Sequence, residues 1–127
     1  MYVGIAKIAI ALADCHSLKE KRMVLRRVKD RVRERLSIAI NEVGDADAWQ
    51  RAELGCARES NDRTQANKLI DSVVRVTADA CEGEADIIAI ARRVETFDVD
   101  AVAYAAKPTS DAADEWIPDA WREELDS

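Results

Sequence analysis

The hydrophobic period of this chain changes at Asp14, and that change limits what the chain can fold into. From Val3 to Ala13 apolar residues are nearly continuous, with Ile8, Ile10 and Leu12 on one side and Ile5, Lys7, Ala9 and Ala11 on the other. This is the pattern of a central strand covered on one face, and small residues leave its second face flat. Beyond Asp14 the period lengthens: Leu18, Leu25, Val28, Val32 and Leu36 recur at steps of seven, three, four and four, one apolar stripe along a helix. Ser17, with Glu20 three positions on, reads as a capping box at its start, each side chain satisfying a backbone amide.

Four further elements follow. Ser37 to Val43 alternates, with Ile38 and Ile40 facing one way and Ala39 and Asn41 the other, which suits an edge strand. A turn at Gly44 to Asp47 leads to a third strand, Arg51 to Glu59, with Ala52, Leu54 and Cys56 on one face. Trp49 stands before it, expected to be a packing anchor with its indole N–H bonded, the alternative being a ring on which a ligand stacks. Ser60, Asn61 and Asp62 cap a second helix whose apolar face is Ala66, Leu69, Ile70, Val73, Val74 and Thr77, and Asp86 to Val94 forms a last strand with Ile88 and Ile90 inward. Strand, helix, strand, strand, helix, strand, with right-handed crossovers, folds most simply as an α+β ferredoxin-like βαββαβ sandwich: a four-stranded antiparallel sheet with two helices on one face.

This organisation assigns residues 1–94 to one domain and 95–127 to an extension. A chain of 127 residues supports one modest core. Cys15, Cys56 and Cys81 are odd in number and far apart, so neither a disulfide framework nor a zinc site is expected, and buried free thiols are. No apolar run is long enough to span a bilayer and no leader-like segment opens the chain, so a cytoplasmic protein without membrane partners is expected.

The overall charge of −6 hides a strong asymmetry. Residues 94–127 carry ten acidic and two basic side chains, whereas Lys19 to Arg35 holds nine basic residues against three acids. On a helical projection Lys19, Arg22, Arg26, Lys29 and Arg33 fall within about 80° of one another, beside the apolar stripe. Two readings stand for this ridge. One is a solvated flank partly neutralised by pairs such as Arg26 with Asp30; the other is an anion-facing surface.

Three blocks carry a family resemblance: Asp14-Cys15-His16-Ser17-Leu18-Lys19-Glu20-Lys21-Arg22, then Trp49-Gln50-Arg51-Ala52-Glu53-Leu54-Gly55, then Ser60-Asn61-Asp62. Together they resemble the signature blocks of the YlxP-like family of short bacterial proteins, over residues 1 to about 94. The resemblance implies a ferredoxin-like fold and, because such proteins are often encoded among translation and ribosome-maturation factors, a connection to RNA or the ribosome. It implies no catalytic residues. Family members usually stop near the fourth strand, whereas this chain continues.

In the expected topology the end of the first strand, the start of the first helix and the hairpin between strands two and three share one end of the sheet. His16, Ser17, Lys19 and Arg22 should therefore approach Gln50 and Arg51. With the free amides of the helix terminus, that end either holds a phosphate or other anion or is tied together structurally, His16 to a carbonyl and Gln50 to the hairpin. The candidate anion- or RNA-binding residues are thus His16, Ser17, Lys19, Arg22, Arg26, Lys29, Arg33, Gln50 and Arg51. Two functions follow: a binding module for RNA or the ribosome, or a homodimeric interaction module using the flat sheet face. The open face carries no aromatic ring, so RNA contact is expected through phosphates on the helix side. One histidine and no nucleophile, glycine-rich or metal-ligand constellation argue against an enzyme, and no cofactor or metal is expected. In the extension, residues 97–104 alternate like an added strand and 118–125 read as a short helix. The acidic tail is either a disordered solubilising segment or a ligand for the basic helix or for another protein.

Overall fold

The first strand, β1 (Tyr2–Ala11), lies between β3 (Arg51–Ser60) and β4 (Asp86–Thr96) and is antiparallel to both. The computed structural model describes residues 1–98, so the strand and helix expected within 97–104 and 118–125 lie essentially outside the described residues. A two-residue strand, β2 (Asn41–Glu42), pairs with β3 and completes the order β2-β3-β1-β4. Two helices, α1 (Leu18–Leu36) and α2 (Arg63–Cys81), cover one face, which makes the domain the expected ferredoxin-like sandwich. Ile8, Ile10 and Leu12 of the first apolar run are fully buried among Leu25, Val28, Val32, Val73 and Val76 from the two helices. Each such side chain contributes roughly 1.5–3 kcal/mol through removal from water.

The caps work as the local sequence dictates, with one change. Ser17 Oγ accepts from Glu20 N at 3.2 Å, but the Glu20 carboxylate takes His16 N at 2.8 Å, one residue earlier than a capping box requires. At the other end of α1, Ser37 turns into the left-handed region (φ 55°) and donates its N–H to Arg33 O at 2.9 Å. Asp62 caps α2, its Oδ1 accepting from Thr64 N at 2.8 Å.

Three expectations change. The alternation of Ile38 and Ile40 holds, both being buried, but β2 keeps only Asn41 and Glu42 in the ladder. Ser37 still belongs to the helix cap, and the chain reaches β3 only at Gly55. In β4, Ile88 and Ile90 are not interior: they are 49% and 44% exposed. A register shift between Ala9 and Ile10 leaves Ile88 unmatched and puts Ile87 opposite Ile10, so Ile87 packs on the core instead. Trp49 is 52% exposed rather than packed.

Candidate nucleic-acid interface

Helix α1 carries cations on two flanks, and the fold treats them differently. Arg27 pairs with Glu84 in the turn after α2, and Arg35 lies 3.8 Å from Asp79 of α2, so two of the three arginines on the flank facing α2 are paired, while Arg31 between them has no ion pair among the described residues. On the opposite flank Arg22, Arg26, Lys29 and Arg33 line one surface groove together with Leu25, Asp30 and Glu42. Among the described residues none of these four cations has an ion-pair partner, and the expected Arg26–Asp30 pair does not form. From Arg22 to Arg33 the row runs about 16 Å along the helix axis. Lys19 continues it towards the helix start and is exposed.

Lys21 is the cation that reasoning from charge alone misplaced. It counts towards the basic segment, yet its side chain is 1% exposed and points between α1 and the β2–β3 hairpin. Its ammonium lies 2.7 Å from Glu42 Oε2 and donates to Ala48 O at 2.6 Å, with Asp45 O and Ala46 O each at 3.3 Å. A carboxylate and three carbonyls together replace the hydration that burial removes. One sequence signal was available: the step of seven from Leu18 to Leu25 leaves position 21 on the apolar stripe, where a lysine needs a buried partner. The same contact occupies Glu42, the groove's nearest acid apart from Asp30.

The helix start and the hairpin do meet, as the topology required. Leu12 N donates to Gln50 O at 2.8 Å, and Gln50 Nε2 donates to Ala13 O at 3.3 Å and towards Cys15 O at 3.5 Å. Gln50 and Ser17 are thereby committed to holding the chain, and His16 N is committed to Glu20. Arg51 is exposed beside Trp49. Burial pushes the Cys15 thiol up, and the carboxylates of Glu20, Glu84 and Asp14 push it further, against a smaller opposite effect of Lys21.

The open sheet face is mixed in character. Lys7 lies 3.9 Å from Glu53, Arg93 pairs with Glu95, and Ala9 is already 7% exposed, while Ile5 and Val43 remain uncovered. Among the described residues no three His, Cys, Asp or Glu side chains converge as a metal would require, and no helix is long and apolar enough to cross a membrane.

Over 72 residues the chain is 39% identical to the uncharacterised protein YlxP of Bacillus subtilis (strain 168), which covers 57% of this chain and 78% of that protein. A de novo designed protein with a ferredoxin fold superposes with a TM-score of 0.48 at 16% identity, covering 80% of this chain and 90% of the design. A C-terminal segment of the alpha subunit of aIF2 from Pyrococcus abyssi gives a TM-score of 0.43 at 13% identity. That match covers 68% of this chain but only 48% of the archaeal one, so this chain spans about half its length. A family model described as protein of unknown function (DUF503) matches residues 3–92, and the chain belongs to that family.

Proposed function

We propose that this chain is a non-enzymatic binding module that holds RNA through the phosphate backbone, on the groove lined by Arg22, Arg26, Lys29 and Arg33. The observation that carries the reading is the asymmetry of α1. Four cations on one flank line a common groove and have no ion-pair partner among the described residues, while on the other flank Arg27 and Arg35 are paired and only Arg31 is not. Unpaired, aligned cations retain their full attraction for a polyanion and release its counterions on contact. Lys19 extends the row, and Lys21 removes Glu42 as a competing carboxylate. Among the described residues the strand positions of the open face carry no aromatic ring, Trp49 and Phe97 standing exposed just beyond the strand ends, so contact runs through the backbone, sequence preference is weak and salt dependence strong. The ribosome is the RNA-rich particle that the family resemblance implies.

Binding of a labelled RNA strand and cosedimentation with ribosomal subunits, each across a salt series, test the reading. Four phosphate contacts give a slope of log affinity against log salt of about −3, and each cation removed lowers its size by about 0.7–0.9. The Arg22→Ala/Arg26→Ala/Lys29→Ala variant should lose most of that slope, whereas Arg27→Ala/Arg35→Ala should keep it. Equal losses in the two variants, or no binding of the unaltered chain at low salt, would refute the proposal.

A further inference from the structure

The two edges of the sheet are built very differently. β2 closes one side with two residues, whereas β4 runs for eleven, Asp86 to Thr96, along the other. Phe97 N donates to Met1 O at 2.8 Å, which fixes the parity of the strand. Counting back by twos, Glu95, Arg93, Ala91 and Ala89 turn their backbone groups to β1, and Val94, Arg92 and Ile90 turn theirs outward. A long edge offering a row of outward amides and carbonyls is a template for another strand, and natural sheets shorten, charge or cover such edges. Here the segment Asp86-Ile87-Ile88-Ala89-Ile90-Ala91 has no charge after Asp86, and it leaves Ile88 and Ile90 49% and 44% exposed.

We propose that β4 pairs antiparallel with β4 of a second copy of this chain, about a two-fold axis at Ala89, giving a continuous eight-stranded sheet. Apart from the register shift at Ile88, which both copies carry next to the axis, the strand is complementary to itself in that register. Ile88 of each copy lies opposite Ile90 of the other, so the two exposed isoleucines cover one another twice over. Two residues further out, Asp86 of one copy comes near Arg92 of the other, which already bonds Asp71 and the Asn67 carbonyl of its own α2, so Asp86 would join an existing charge cluster, twice by symmetry. An axis at Ile90 would instead pair the two Ile90 side chains but set Ile88 against Arg92, and an axis at Ala91 would set Ile90 against Arg92; neither covers both isoleucines and makes the charge match. The groove on α1 is separate from this edge, so the pairing does not depend on RNA binding.

Light scattering on the full chain across a micromolar concentration series should give twice the 14.1 kDa of one chain. Ile90→Lys, at an exposed position, should keep the circular dichroism spectrum of the unaltered chain and return the mass to that of one chain. Mild oxidation of Ala89→Cys should give a disulfide-linked dimer above the background of the unaltered chain, and Ala91→Cys should not. A single-chain mass at every concentration would overturn the proposal, including the case in which residues 99–127 of the same chain occupy the edge. So would a dimer that survives Ile90→Lys, which would place the contact on the open sheet face, or cross-linking through Ala91→Cys in preference to Ala89→Cys.

Discussion

Lys21 and Glu42 meet at 2.7 Å between the first helix and the shortest strand, with the lysine side chain 1% exposed and the glutamate 19%. Around them the Asp45, Ala46 and Ala48 carbonyls close on the same ammonium, so one side chain fixes the whole β2–β3 hairpin to α1. β2 has only two ladder residues, with Val43 N donating to Glu53 O at 2.8 Å beyond them, so this contact adds a tie from the hairpin to the helix that the short ladder does not supply.

Removing one partner of this buried pair should therefore be costly. Lys21→Met leaves the Glu42 carboxylate and three carbonyls short of a donor, and should lower stability by about 3–5 kcal/mol in urea unfolding. Adding Glu42→Leu in the same chain should recover a substantial part of the loss, since the uncompensated charge is then gone. A loss under about 1 kcal/mol in the single variant would show that the hairpin is held by other contacts.

Gly55 sits against Val43 on the open face, and a Cβ built there would lie 2.9 Å from Val43 Cγ1. Val43 is β-branched and cannot swing a distant atom aside, so Gly55→Ala should cost about 1–3 kcal/mol. Val43 itself is 55% exposed, and Val43→Ala alone should cost little. The double variant should be nearly as stable as Val43→Ala, giving a coupling that a double-mutant cycle reads directly.

The buried thiols predict an alkaline loss of stability. Burial pushes the Cys81 thiol above its ordinary value of 9.0, and Glu84 and Asp86 push it further; burial acts likewise on Cys56. A raised value means that the native state holds the proton more tightly than the unfolded chain. Below about pH 8 both states are protonated and this contribution is constant. Above pH 9 the unfolded chain ionises first, and stability falls by at most about 1.4 kcal/mol per pH unit for each thiol until the native thiol also ionises. Unfolding at pH 7.5 and pH 10 should show the decline, and it should shrink in Cys81→Ala when each variant is compared with its own value at pH 7.5. A Cys81→Ala decline as steep as that of the unaltered chain would remove the thiol as its cause.

The sequence by itself determined the order of the elements, the inward faces of β1 and both helices, and the capping residues Ser17 and Asp62. Those features depend on periodicity and on hydrogen bonds between near neighbours, which a linear reading contains. It also determined which end of the sheet brings Gln50 to the β1–α1 connection, because the element order leaves one simple topology. Only the tertiary structure decided which cations of α1 are free. Arg27 and Arg35 are neutralised by Glu84 and Asp79, more than forty positions away, and Lys21 is drawn inward by Glu42 and the hairpin carbonyls. The exposure of Ile88 and Ile90 has the same origin. A single register shift on β4 and that strand's place at the edge of the sheet override an apolar pattern that, in the chain alone, is indistinguishable from a buried one.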